Sequence, residues 1–121
     1  MAASPRGLTL PDDPPHPERN PVYAQLIEGG TTPALRTEMD RLVTDQMVPA
    51  LETEPGFAGA LNLVDRDSGN AVMIVLWETA EQARRPLPQY GPAFLESIAG
   101  VMAISTGTRR PISVWEVNAR A

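Results

Sequence analysis

The spacing of apolar residues changes several times along this chain, and each change marks an element. From Pro55 to Glu78 the sequence reads PGFAGALNLVDRDSGNAVMIVLWE, two runs that are apolar at nearly every position on either side of Asp67-Ser68-Gly69-Asn70. Near-continuous apolar runs belong to strands covered on both faces. Gly69 tolerates the positive φ that a tight reversal needs. A hairpin with strands over 57–65 and 71–78 is therefore predicted. With Ser68-Gly69 as a two-residue loop, Asn62 lies opposite Val75 and Ala60 opposite Trp77. Asn62, Met73, Val75 and Trp77 then share one face of the sheet, with Asn62 diagonal to Trp77, and Leu61, Leu63, Ile74 and Leu76 share the other. A three-residue loop would reverse that assignment.

Upstream, Val22 to Ile27 has strand character and Gly29-Gly30 closes it. Thr32 is the expected N-cap and Pro33 the first helical residue. Leu35, Met39, Leu42, Val43, Met47 and Leu51 recur at helical spacing, predicting an amphipathic helix over about 33–53 with a kink at Pro49. Met39 and Met47 on this stripe suit core filling better than a soft pocket wall. Downstream, Thr79 caps a short helix over 80–85 that Pro86 and Pro88 interrupt, and Phe94, Leu95, Ile98, Val101 and Met102 make a second apolar stripe. A loop through 106–110 leads to a last strand over 112–117.

The order is strand, helix, strand, strand, helix, strand. That order defines an α+β, ferredoxin-like split βαβ fold, with helices on one face of an antiparallel sheet. The other sheet face is also apolar, and a chain of 121 residues has no element left to cover it. Two sheets packed face to face would cover it, so a homodimer is expected.

Composition narrows the function. Residues 1–20 hold five prolines and three acids, with Leu8 and Leu10 the large apolar residues. Such a segment buries too little to offset its ordering entropy, so it reads as a disordered tail or an arm laid on a partner, and 21–121 as the domain. The single histidine, His16, falls in this tail and is expected to be solvated. All ten basic residues are arginines, scattered except at Arg84-Arg85 and Arg109-Arg110, and the net charge is −5, so no face suits nucleic acid. With no cysteine, disulfides and thiolate chemistry are excluded and a cytoplasmic setting fits. No apolar stretch is long enough for a signal peptide or a membrane span.

Pro49-Ala50-Leu51, Pro55-Gly56-Phe57, the strand ending in Asp65-Arg66-Asp67-Ser68-Gly69 and the strand ending in Leu76-Trp77-Glu78-Thr79 resemble the antibiotic-biosynthesis monooxygenase (ABM) family, over roughly residues 21–117. The resemblance implies two subunits forming a dimeric α+β barrel. For the quinone-forming members it further implies oxidation of a phenolic or polyketide-type aromatic without flavin, haem or metal, the deprotonated substrate itself reducing oxygen. It places Trp77 in the pocket between sheet and helices. Those enzymes carry an asparagine four residues before this tryptophan, where the present chain has Met73. A haem-degrading branch of the superfamily uses a histidine and a tryptophan on the second helical segment, and residues 79–103 contain neither.

The residues themselves allow a pocket on the Trp77 face. Asn62, Gln25 or Tyr23, and Tyr90 or Gln89 would supply its polar groups, and Met73, Val75 and Phe94 its apolar wall, an arrangement suited to a flat aromatic ligand. Asn62 and Trp77 are the catalytic candidates, with Asn62 taking the place of the family's asparagine; the alternative for Asn62 is a strand-centre amide bonded to backbone or water. Arg84-Arg85 can clamp an anion, though arginines on a short surface helix more often face water. No carboxylate pair, catalytic triad, metal-ligand cluster or phosphate loop is evident. Three functions stay open: a cofactor-independent monooxygenase, a cyclase or isomerase using the same pocket, and a non-catalytic ligand-binding or accessory module.

Overall fold

A computed structural model describes residues 21–106 and 111–121. The proline-rich segment with His16, and Gly107 to Arg110 in the last loop, lie outside the described residues. Strand β1 (Tyr23–Gly30) leads into a 3-10 turn (Pro33–Leu35) and α1 (Arg36–Leu42). One π turn (Val43–Met47) joins α1 to α2 (Val48–Glu52). The hairpin is β2 (Phe57–Val64) and β3 (Asn70–Trp77). After it come α3 (Ala80–Ala83), a 3-10 turn (Leu87–Gln89), α4 (Pro92–Ile104) and β4 (Ser113–Glu116). The antiparallel sheet runs β2-β3-β1-β4, so the two outer strands of the split βαβ pattern are β2 and β4.

Three local departures from the pattern have clear physical causes. Thr32 has extended backbone at the helix start but its hydroxyl makes no capping bond, and the proline at the first position suffices. Thr79 does cap α3, accepting the Gln82 N–H at 3.1 Å. Pro49 does not simply kink the first helix. It has no N–H to donate, and the turn just before it widens so that the Val48 N–H reaches the Val43 carbonyl five residues back. Gly29 and Gly30, expected to end β1, are inside it and pair with Ala71 and Asn70.

The hairpin register differs from the two-residue-loop expectation. Asp65 pairs with Asn70, its N–H donating to the Asn70 carbonyl at 2.9 Å, which leaves a four-residue loop over 66–69. The Asp65 carboxylate accepts from the N–H groups of Asp67 (3.0 Å) and Ser68 (3.4 Å), a local turn that the longer loop allows. Gly69 takes φ 81°, and a Cβ there would sit 2.5 Å from the Thr31 carbonyl oxygen. Asn62 therefore lies opposite Met73 and Ala60 opposite Val75. The slip is two residues, an even number, so Asn62, Met73, Val75 and Trp77 keep one face and Leu61, Leu63, Ile74 and Leu76 the other.

On the helix-facing side, Gln25 pairs with Val75 and Ile27 with Met73, and the core continues through Met39, Met47, Leu51 and Phe94. A bulge between Phe57 and Gly59 turns Phe57 onto this same side, directly opposite Trp77. On the other side Leu61, Leu63 and Trp115 are exposed, with Leu26, Ile74 and Leu76 half-buried between them. Among the described residues no helix is long and apolar enough to cross a membrane.

Candidate functional site

Between the helices and the Trp77 face lies a cavity of about 290 Å³. Its floor is the inner face of β1 and β3, through Gln25, Ile27 and Met73. One wall is the first helical segment, through Arg36, Met39, Val43 and Met47, and the other is Tyr90 with α4, through Phe94, Ile98 and Val101. Asn62 on the edge strand reaches it from one side. The π turn matters here, because it holds Val43 at the start and Met47 at the end of one wide turn, and both face the cavity. Both methionines on the helical stripe, Met39 and Met47, are core and wall at once.

Behind the floor is a chain of buried polar contacts. The Trp77 indole, fully buried, donates to Gln25 Oε1 at 3.2 Å. Gln25 Nε2 donates to the Ala83 carbonyl at 3.2 Å and, more weakly, to the Tyr90 hydroxyl at 3.5 Å. The rings continue the contact: Phe57 meets Trp77 edge-on at 6.2 Å, Trp77 meets Tyr90 edge-on at 6.0 Å, and Tyr90 stacks on Phe94 at 4.6 Å. Gln25 is thus held at both ends of its amide, and its orientation is fixed by the partners.

Two arginines also line the cavity. Arg85 is not on a water-facing surface, although its expected place on a short surface helix suggested one; the helix ends at Ala83. Its side chain is 13% exposed, Nη2 bonds Glu54 Oε1 at 3.1 Å, and the guanidinium lies 4.2 Å over the Tyr90 ring and 5.3 Å from that of Trp77. Glu54 Oε2 accepts the Gly91 N–H at 2.9 Å, so this carboxylate pins the start of α4 as well. Arg84 is exposed. Arg36, buried on α1, donates from Nε to Asp40 Oδ1 at 3.0 Å, and Asp40 Oδ2 accepts from Arg66 Nη1 at 3.0 Å. Desolvation raises the Asp40 pKa, but the Arg66 hydrogen bond and the charges of Arg36 and Arg66 outweigh it and hold the carboxyl below its usual range.

Of the residues expected at the site, Gln25, Asn62, Met73, Tyr90 and Phe94 meet around this cavity. Trp77 and Val75 are sealed beneath the floor, and Tyr23, half-buried near the end of the same strand face, is outside the lining. Asn62, opposite Met73, stands four residues from Trp77 along the strands, about 13 Å at 3.3 Å per residue. It is therefore not the diagonal neighbour that the shorter loop would have made it. Arg36 and Glu54 were not singled out from the sequence. Arg36 belongs to no motif, but it lies three residues before Met39 and so on the same helical stripe, which is the signal that would have found it. Among the described residues no group of His, Cys, Asp and Glu is placed to hold a metal ion.

No protein-family model matches this chain, and no curated protein matches it. Solved structures do. SnoaB, a cofactor-independent oxygenase from Streptomyces nogalater, is 23% identical with a TM-score of 0.54, over 84% of this chain and 95% of its own. The monooxygenase from the gene ActVA-Orf6 of Streptomyces coelicolor, solved with the ligand nanaomycin D, is 18% identical with a TM-score of 0.60, over 84% and 90%. A proposed antibiotic biosynthesis monooxygenase from Nitrosomonas europaea is 12% identical with a TM-score of 0.65, over 80% and 90%. The chain thus has the α+β fold of the antibiotic biosynthesis monooxygenases, the fold its sequence motifs implied. At these identities the likeness is one of fold, and the chemistry has to be argued from the site.

Proposed function

We propose that this chain binds a flat phenolic or polyketide-type aromatic in the helix–sheet cavity and oxidises it with dioxygen, the substrate supplying the electrons. The observation that carries the proposal is the cavity itself, apolar over most of its wall, with a fixed Gln25–Tyr90 pair at its base. The Tyr90 hydroxyl accepts from Gln25, which leaves its own proton to donate to a ligand oxygen. Asn62 offers an amide from another wall. A deprotonated anthrone-type carbon held there would add O2, and loss of water from the resulting hydroperoxide converts CH2 to C=O, one oxygen atom going to each product. That SnoaB is described as a cofactor-independent oxygenase on the same fold supports this reading.

A second reading, binding without oxidation, is favoured by one observation. Met73 stands in the floor opposite Asn62, and Trp77 is closed off beneath it, so the wall has few groups to bond a peroxide. Oxygen uptake by the purified full-length chain with an anthrone and with a naphthalene hydroquinone separates the two. The monooxygenase reading expects uptake that falls tenfold or more in Asn62→Ala and Tyr90→Phe. Ligand binding with no uptake leaves the second reading, and turnover under argon would mean a cyclase or isomerase.

We further propose a homodimer built on the open sheet face. Leu61, Leu63 and Trp115 are 55%, 50% and 59% exposed there. With the half-buried Leu26, Ile74 and Leu76 they form one continuous apolar surface of the kind that seldom stays in water.

A further inference from the structure

The cavity floor changes character along β1. Three residue pairs follow one another across the β1–β3 ladder on the helix-facing side: Gln25 with Val75, Ile27 with Met73, and Gly29 with Ala71. The first pair lies at the closed end, where Gln25, Val75 and Tyr90 are all buried. The last lies at the open end, where Gly29, Met102, Ser105 and Thr106 line the cavity and are exposed. From Gln25 to Gly29 is four residues of strand, about 13 Å at 3.3 Å per residue. A cavity of about 290 Å³ drawn out over that length is a slot running parallel to β1.

Nothing among the described residues accounts for glycine at position 29. Glycine inside a strand weakens it, and its usual reasons are an unusual φ, a close backbone neighbour or an approaching ligand. The positive-φ glycines are Gly56, Gly59 and Gly69, so Gly29 has a backbone that any residue adopts. A Cβ built on it meets no atom of the described residues within 4 Å. Gly30 differs, because a Cβ there would stand 2.7 Å from the Gly69 carbonyl oxygen. What remains for Gly29 is the ligand, and Ala71 across the ladder keeps the same rung of the floor low.

We propose that Gly29 and Ala71 determine specificity by setting the length of the aromatic that the cavity takes. The inference rests on the proposed aromatic-binding role of the cavity and adds how the ligand lies: its oxygen at the Tyr90 hydroxyl, its rings along β1 against Met39, Met73 and Phe94, and its far ring over Gly29. Two fused rings leave the outer part of the slot empty, and a third fills it. Affinity grows with the apolar area removed from water, so a longer ligand binds more tightly until a side chain at position 29 or 71 occupies the space of its last ring.

The test is fluorescence titration of the full-length chain with 2-naphthol and with 2-anthrol, which carry the same hydroxyl on two and on three linear rings. The native chain should bind 2-anthrol at least tenfold more tightly. Gly29→Val, a residue at home in a strand, should remove that preference by weakening 2-anthrol and leaving 2-naphthol unchanged. Ala71→Leu should do the same independently, with melting curves confirming that each variant is folded. Equal affinity of the native chain for the two phenols overturns the length gauge and leaves the aromatic cavity standing. So does a preference that survives in either folded variant. Binding of neither compound overturns the aromatic-binding role and the gauge together.

Discussion

The indole N–H of Trp77 donates to the side-chain oxygen of Gln25 at 3.2 Å, across two neighbouring strands and inside a fully buried site. This bond joins the last residue of the hairpin to the first strand and, through the other end of the Gln25 amide, to Ala83 and Tyr90. It makes one polar unit out of four separated segments, and the cavity floor is built on it.

Gln25→Leu should destabilise the fold by about 1–3 kcal/mol, because it strands the Trp77 N–H and the Ala83 carbonyl without partners. Urea denaturation followed by circular dichroism measures this. A change below about 0.5 kcal/mol, the level of an ordinary surface substitution, would mean that the amide contributes nothing to the core.

Glu54→Gln should cost more. It leaves the Arg85 guanidinium buried against Tyr90 with no counter-charge, and removing one partner of a buried pair typically costs about 3–5 kcal/mol. Replacing both, as Glu54→Gln with Arg85→Met, should recover much of the loss, and a double-mutant cycle on denaturation free energies gives the coupling directly.

The stability of the Arg36–Asp40–Arg66 cluster should depend on pH in one direction. The Asp40 pKa is lowered in the folded chain, so its contribution is present in full above the unfolded value near 3.8 and is lost as pH falls through the lower, folded value. Wild type should therefore exceed Asp40→Asn in stability at neutral pH, and the two should converge below about pH 4. Denaturation midpoints of both across pH 2.5–7, on the order of one point per half unit, follow the crossover. A gap that persists unchanged at the acid end would contradict it.

The open sheet face should hold the dimer. Leu63→Glu and Trp115→Glu place charges on its two edge strands, and each should convert a dimer to a folded monomer at micromolar concentration. Sedimentation equilibrium reads this out, and a wild-type chain that is already monomeric there would rule the interface out. The two tryptophans give an independent check: Trp115, exposed in the single chain, should lose its water-like fluorescence on dimerisation, while the buried Trp77 should not change.

Much of the architecture was legible because it depends on short-range periodicity. Alternation placed Asn62, Met73, Val75 and Trp77 on one face, and that face survived a loop two residues longer than expected, since an even slip does not change the side of the sheet. The partner of each residue was not legible in the same way. Pairing Asn62 with Met73 instead of Val75 depended on whether the Asp65 carboxylate turned back onto the loop N–H groups, a choice between two turns that the same four residues permit.

The sequence by itself determined the elements, their order, the two faces of the sheet and the apolar character of the cavity, because each is set by residue spacing within a strand or helix. Only the tertiary structure decided which polar groups are buried and matched. Gln25 reaches partners 52 to 65 positions away, and Glu54 meets Arg85 across 31. The charge balance around Arg36 likewise depends on Arg66 arriving from the hairpin loop to share Asp40. Desolvation and hydrogen bonding are properties of what surrounds a group, and those surroundings exist only once distant segments have packed together.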